Sequence, residues 1–297
     1  MISSLLSLLL FETVHPSNML LATLLPPEIH VSAPALNSTN APVKIGDSVA
    51  PALEASSVFA IDMNSGEPLY VHNIFERRQI ASITKLMTAI VILDNHALDE
   101  VITVSQNAAT TEGSRMFLRA GEKISVEGAL RGLLINSGND AAVALAEFDA
   151  GSVDAFVKKM NTKAHNVGLA DTHFANPMGF DDPENYSTAF DVMKLGRIAI
   201  NYEFIQETVQ KSKDEVRAHD NAYTHNLEST NQLLNDEHFQ VIGIKTGRTE
   251  GAGESLLALT KAENGHEILT VMLHSPARFR ETRILLDWIF RNYTFGS

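Results

Sequence analysis

The hydrophobic period of this chain changes three times along its length, and that pattern limits the folds open to it more than any single residue does. Residues 56–62 and 68–71 are short apolar runs flanking the turn cluster Asn64-Ser65-Gly66, which predicts a β-hairpin at the start of the folded part. Residues 241–246, 255–261 and 267–274 read as three further strands, with Gly251-Ala252-Gly253 and Asn264-Gly265 as their turns. Between the two ends the period is helical. Leu86, Ile90 and Leu93 share one face, as do Val126, Leu130, Leu133 and Leu134. Residues 152–167 continue the pattern through Val153, Phe156 and Met160, with Gly168 placed as a helix stop. A short helix is expected over 191–200, and an amphipathic one over 278–290 through Ile284, Leu285, Trp288 and Ile289.

A two-stranded hairpin is marginal in water by itself, so the strands at the two ends are expected to share one sheet. That makes residues 44–297 a single α/β (α+β) unit, its antiparallel sheet built from both chain ends and a helical lobe inserted between them. The chain has 297 residues, enough by length alone for about two domains. The strand order argues for one.

Residues 1–43 differ from the rest. They hold no Lys or Arg, and their apolar runs fall short of the ~18–20 residues that span a bilayer. Ala33-Pro34-Ala35 has the small-x-small form of a cleavage site, so the segment reads either as an atypical export signal or as an apolar tail, followed by a linker over 31–50. The net charge of −13, from 23 basic and 36 acidic residues with no basic run, repels phosphate backbones and anionic lipid, which sets nucleic-acid binding aside. The absence of cysteine removes disulfides and thiolate chemistry.

Three short strings carry the chemistry. In Ser82-Ile83-Thr84-Lys85 the lysine follows the serine by three residues, so on a helical turn both project from one face. A serine hydroxyl becomes a nucleophile when a neighbour takes its proton, and lysine does so when burial or a second cation lowers its pKa. Lys245 is the candidate second cation. A helix N-terminus at Ser82 adds a backbone N–H suited to an oxyanion. Ser137-Gly138-Asn139 falls between helical segments, where Ser137 suits proton relay and the Asn139 amide suits holding a peptide group. Lys245-Thr246-Gly247 is expected at the end of an edge strand, which offers backbone groups to an extended peptide. Thr246 and Arg248 suit a terminal carboxylate, and the Arg248 N–H is the expected second oxyanion donor.

Taken together these strings form the signature of the penicillin-interacting serine acyl-transferases. Residues 52–292 resemble the low-molecular-mass penicillin-binding proteins, specifically the serine D-alanyl-D-alanine carboxypeptidases. Met116-Phe117-Leu118, Phe174-Ala175-Asn176-Pro177, Tyr186-Ser187-Thr188-Ala189 and Gly243-Ile244 before Lys245 extend the likeness. The resemblance implies a β-lactamase/transpeptidase-like fold. It also implies acylation of Ser82 by a peptidoglycan stem peptide ending in D-Ala-D-Ala, with loss of the last D-alanine and β-lactams as covalent inhibitors. Lys85 is then the general base, Ser137, Asn139 and Lys245 complete the catalytic set, and Lys245, Thr246, Gly247 and Arg248 bind substrate. No metal or organic cofactor follows.

The implied substrate lies outside the cytoplasm, so export to the periplasm or the extracellular face of the wall is expected. Family members often continue into a β-rich domain and an amphipathic anchor. This chain stops 50 residues after Gly247, so neither is expected. Some members carry an arginine in the loop before the final strands, but Ser229-Thr230-Asn231-Gln232-Leu233-Leu234 holds none, leaving Arg248 as the substitute.

The alternatives are a DD-endopeptidase with the same catalytic groups, a class A-like β-lactamase and a silent peptidoglycan-binding protein. A β-lactamase needs Asp after the middle serine, where this chain has Gly138, and a carboxylate for the deacylating water, for which Glu184 is the one loop candidate. The intact catalytic set argues against silent binding. Asp181-Asp182-Pro183-Glu184 otherwise reads as solvated surface, His266-Glu267 as a structural hairpin pair, and Trp288 and Phe290 as core.

Overall fold

A computed structural model describes residues 41–296. In chain order the elements are β1 (Val43–Lys44), β2 (Ser57–Asp62), β3 (Pro68–His72), α1 (Lys85–Asn95), β4 (Val101–Thr103), α2 (Gln106–Ala109), β5 (Lys123–Ser125) and α3 (Val126–Ile135). They continue with α4 (Asn139–Ala150), α5 (Val153–Asn166), α6 (Ala189–Ala199), α7 (Glu203–Val209), β6 (Lys213–Arg217) and β7 (Thr224–Glu228). Last come β8 (Val241–Thr249), β9 (Gly253–Lys261), β10 (Glu267–Ser275), α8 (Arg278–Asn292) and β11 (Tyr293–Thr294).

The central sheet has the order β3-β2-β10-β9-β8, all antiparallel, so strands from both chain ends meet where β2 pairs with β10. Every residue of β2 is buried, because both faces of the sheet are covered. On one face Val58, Ala60, Ile268 and Met272 pack with Leu285, Leu286 and Ile289 of α8. On the other, Phe59, Ile61, Leu257, Leu269 and Val271 join the core of the helical lobe. Gly196 of α6 lets that helix lie on the sheet, since a Cβ there would meet Leu257 and Leu269 at 3.0–3.3 Å.

Helix α1 runs through the middle of the lobe, and its residues from Lys85 to Ile92 are all buried. The stripe read from Leu86 and Ile90 is therefore one side of a helix covered all round. Side chains at the N-caps supply local stops and starts: Ser125 accepts from Gly128 N, Ser152 from Ala155 N and Thr188 from Asp191 N, each satisfying a free helical N–H.

Two sequence expectations shift. β8 continues to Thr249, so Lys245-Thr246-Gly247 lies inside an edge strand and not at its end. Val43 and Lys44, within the expected linker, pair with Thr294 and Tyr293. The folded unit therefore takes in Val43, one residue before the expected boundary. Two short ribbons, β4 with β5 and β6 with β7, were not expected at all. The described residues, 41–296, fall within one compact unit. The export-like segment lies outside the described residues.

Candidate active site

Ser82 lies in a single 3-10 turn, Ala81–Thr84, that leads directly into α1. The turn delivers the expected proximity: Lys85 Nζ donates to Ser82 Oγ at 2.8 Å. The amine also donates to the Met178 carbonyl at 2.6 Å, and Lys85 is wholly buried. Burial, and then the neighbouring Lys245 charge, hold its pKa well below the ordinary lysine value; Asp140 acts weakly in the opposite sense.

The Met178 carbonyl is placed by its own loop. Asn176 Oδ1 accepts from the N–H groups of Met178, Gly179 and Phe180 at 3.3, 2.7 and 3.0 Å, and Thr88 of α1 donates to the Pro177 carbonyl at 2.6 Å. Gly179 has φ +84°, and a Cβ on it would fall 2.0 Å from the Ala81 carbonyl oxygen. The loop thus rests on the backbone that carries Ser82.

On β8, Lys245 Nζ donates to Ser137 Oγ at 2.9 Å and to the Thr246 carbonyl at 3.1 Å. Burial, then the nearby Arg278 charge, lower its pKa to about 7. Ser137 takes φ +57° in the turn before α4, with Gly138 as the N-cap. Asn139 Nδ2 donates to the Glu112 carbonyl at 2.7 Å, which leaves its amide oxygen and one hydrogen for a ligand. Gly247 brings β8 against Ser82: a Cβ there would lie 2.8 Å from the Ile80 carbonyl oxygen and 3.2 Å from Ser82 N.

The geometry brings Ser82 with Lys85, and Ser137 with Lys245, while Gly247 lies against Ser82 and Asn139 opens α4 two residues after Ser137. Thr246 Oγ1 shares a hydrogen bond with Thr230 Oγ1, in the loop where an arginine was sought. Arg248 has a side chain 74% exposed, with Glu254 3.9 Å away. A second arginine went unnoticed in the sequence. Arg278, at the start of α8, is buried and donates from its guanidinium to the Gly247 carbonyl at 2.6 Å, while its Nε has no partner among the described residues. An arginine at a helix start carries no local signal that it faces a strand 31 residues earlier in the chain. Glu184 is exposed, and its N–H is capped by Asp182. Asp181 accepts from Gly251 N at 2.9 Å and so links its loop to the β8–β9 turn.

Two buried lysines, each touching one serine hydroxyl, are an arrangement for proton transfer. One is held toward neutrality beside the Ser82 hydroxyl, and the other titrates near neutral pH beside the Ser137 hydroxyl.

Comparison with known proteins agrees with this chemistry. The sequence profile of the D-alanyl-D-alanine carboxypeptidase family matches residues 45–276. The chain is 37% identical over 250 residues to the D-alanyl-D-alanine carboxypeptidase DacF of Bacillus subtilis, covering 81% of this chain and 63% of DacF. It is 34% identical over 238 residues to a D-alanyl-D-alanine endopeptidase of Pseudomonas aeruginosa, covering 79% of this chain and 76% of that protein. Among solved structures, the Streptomyces K15 DD-transpeptidase superposes with a TM-score of 0.76 at 29% identity, covering 82% of this chain and 100% of the other. The chain spans less than two thirds of the length of DacF.

Proposed function

The chain belongs to the D-alanyl-D-alanine carboxypeptidase family, and on that premise we propose that it is a serine DD-carboxypeptidase acting on peptidoglycan stem peptides through an acyl-enzyme on Ser82. Neutral Lys85 takes the Ser82 proton as Oγ attacks the carbonyl of the D-Ala-D-Ala bond. The oxyanion that forms is held by the N–H groups of Ser82 and Arg248. As the C–N bond breaks, Ser137, held by the Lys245 ammonium, relays the proton that Lys85 gained to the leaving D-alanine amine, which returns Lys85 to its neutral form. Water then attacks the ester with Lys85 again as base, and Ser82 recovers its proton.

Asn139 holds the substrate backbone, and the edge of β8 from Lys245 to Gly247 receives the extended peptide. The terminal carboxylate sits against Thr246 and Arg248, with the Arg278 guanidinium behind Gly247 adding positive potential. β-Lactams acylate the same hydroxyl. The reading takes residues 44–297 as the catalytic domain and places the protein outside the cytoplasmic membrane. Among the described residues no helix is long and apolar enough to cross a membrane.

The observation that carries this reading is the 2.8 Å contact between Ser82 Oγ and a wholly buried Lys85 whose pKa is strongly lowered. Intact-mass measurement with benzylpenicillin tests it: a single long-lived adduct is expected, and Ser82→Ala should form none. Lys85→Ala should acylate about 10²–10⁴-fold more slowly. Normal acylation without Lys85 would refute the assigned base. Release of free D-alanine from a pentapeptide confirms carboxypeptidase action, whereas cleavage of cross-linked dimers alone identifies the endopeptidase that the Pseudomonas relative is named for.

A further inference from the structure

The loop over residues 110–122, between α2 and β5, has no regular structure; its ends are bonded to α2 and to Val104, and between them its polar groups are tied to two further places. One is the Ser137-Gly138-Asn139 turn and its flanks. Asn139 N donates to the Ser114 carbonyl at 2.7 Å, Asn139 Nδ2 to Glu112 at 2.7 Å and Asn136 Nδ2 to Arg115 at 2.6 Å. The buried Asp140 carboxylate accepts from Met116 N at 3.1 Å and Leu118 N at 3.0 Å. Phe117, between them, is held at φ +67° with its ring exposed. A non-glycine residue in that region persists only where its surroundings fix it.

The second place is His225 on β7. Its Nδ1 lies 2.8 Å from the Met116 carbonyl and its Nε2 2.6 Å from Glu122 Oε1, while Glu122 Oε2 accepts from Arg119 N at 3.0 Å. Both His225 and Glu122 are buried. A neutral imidazole has one N–H and faces two acceptors here, so one contact would set a lone pair against an oxygen. The imidazole and carboxylate therefore share a proton that satisfies both contacts.

We propose that His225 is a positioning residue for the Ser82 reaction: protonated between Glu122 and the Met116 carbonyl, it pins the 110–122 loop against the Ser137–Asn139 turn, and losing that proton frees the loop. This rests on the function proposed above. Burial, the largest influence on the ring, opposes its charge, but the Glu122 hydrogen bond and charge, the Met116 carbonyl and Asp140 together raise its pKa above the ordinary histidine value. Arg119 lines the same cavity, and on the packed helix α3 the Arg131 guanidinium pairs with Asp214 of β6. The consequence reaches Lys85 through Asp140. When the loop withdraws the Met116 and Leu118 N–H groups, the Asp140 charge is less satisfied, and that charge raises the Lys85 pKa.

The test is the rate of Ser82 acylation by benzylpenicillin from pH 5 to 9 for the wild type, His225→Gln, Glu122→Gln and the double variant, with hydrogen exchange of residues 110–122. His225→Gln should slow acylation about ten- to a hundredfold, shift the acid limb of the profile to higher pH and raise exchange at Met116 and Leu118. Glu122→Gln should do the same, and the double variant should be no slower than either single one, because the two act as a unit. A folded His225→Gln with wild-type rate and acid limb overturns the proposal. So does a rate loss with unchanged loop exchange, or two single effects that add. If His225→Gln does not fold, Glu122→Gln carries the same readouts. A wild type that is never acylated refutes the proposed function, and the exchange data then still show whether the clamp exists.

Discussion

A lysine amine is a base only when neutral, and burying two of them side by side decides when each loses its proton. For Lys85 the folded pKa lies well below the unfolded one, so the fraction of competent base rises as pH climbs through the folded value. Lys245 titrates near 7, and above that pH its charge fades beside Ser137. The acylation rate should therefore trace a bell, rising on the acid side with Lys85 and falling on the alkaline side from about 7 with Lys245. Arg278 is the charge that lowers the Lys245 pKa after burial, so Arg278→Leu should move the alkaline limb upward while weakening capture of carboxylate-bearing peptides. An alkaline limb that stays fixed in that variant would separate it from Lys245. The unfolded chain also binds more protons than the folded one between the folded and unfolded lysine values, so both residues make the fold gain stability as pH rises through their lowered folded values, Lys245 from about 7. Ser82 and Lys85 were legible because three residues on one turn are local geometry. Arg278 and His225 were not, because their roles depend on strands far away in the chain.

At the scale of elements, the cleft is held by loops whose few polar side chains fix backbone direction. The Asn176 turn aims the Met178 carbonyl at Lys85, and Gly179 lets that turn touch Ala81. Gly179→Ala would drive a Cβ into backbone at a φ that suits glycine, so it should slow acylation at least about tenfold and lower the melting temperature. An unchanged rate would show that the loop can retreat without moving Ser82. In α5, Phe156 is fully buried, and Phe156→Ala should cost about 3–5 kcal/mol in denaturant unfolding. The main helices and the five-stranded sheet follow the sequence periods closely. The β6–β7 hairpin escaped notice because Lys213-Asp214-Glu215-Val216-Arg217 has one apolar residue in five, too few to give a period-two signal.

For the molecule as a whole, the two chain ends are joined twice, by β2 against β10 and by β1 against β11. A chain starting at residue 41 should acylate at the full rate, whereas one starting at residue 47 loses β1 and the Ile45 N–H bond to Asn292. The shorter chain should be less stable by on the order of 1 kcal/mol. Equal melting temperatures would show that the terminal ribbon adds nothing. By itself the sequence determined the layer pattern, the single sheet shared by both ends, the pairing of Ser82 with Lys85 and the family resemblance, because these rest on period and on spacings within one turn. Tertiary structure alone decided which cations lie together, how Asp140 and His225 grip the loop beside Asn139, and that Gly247 sits on the backbone at Ser82. Those contacts join residues far apart in the chain, and burial sets their energies only once the elements have packed.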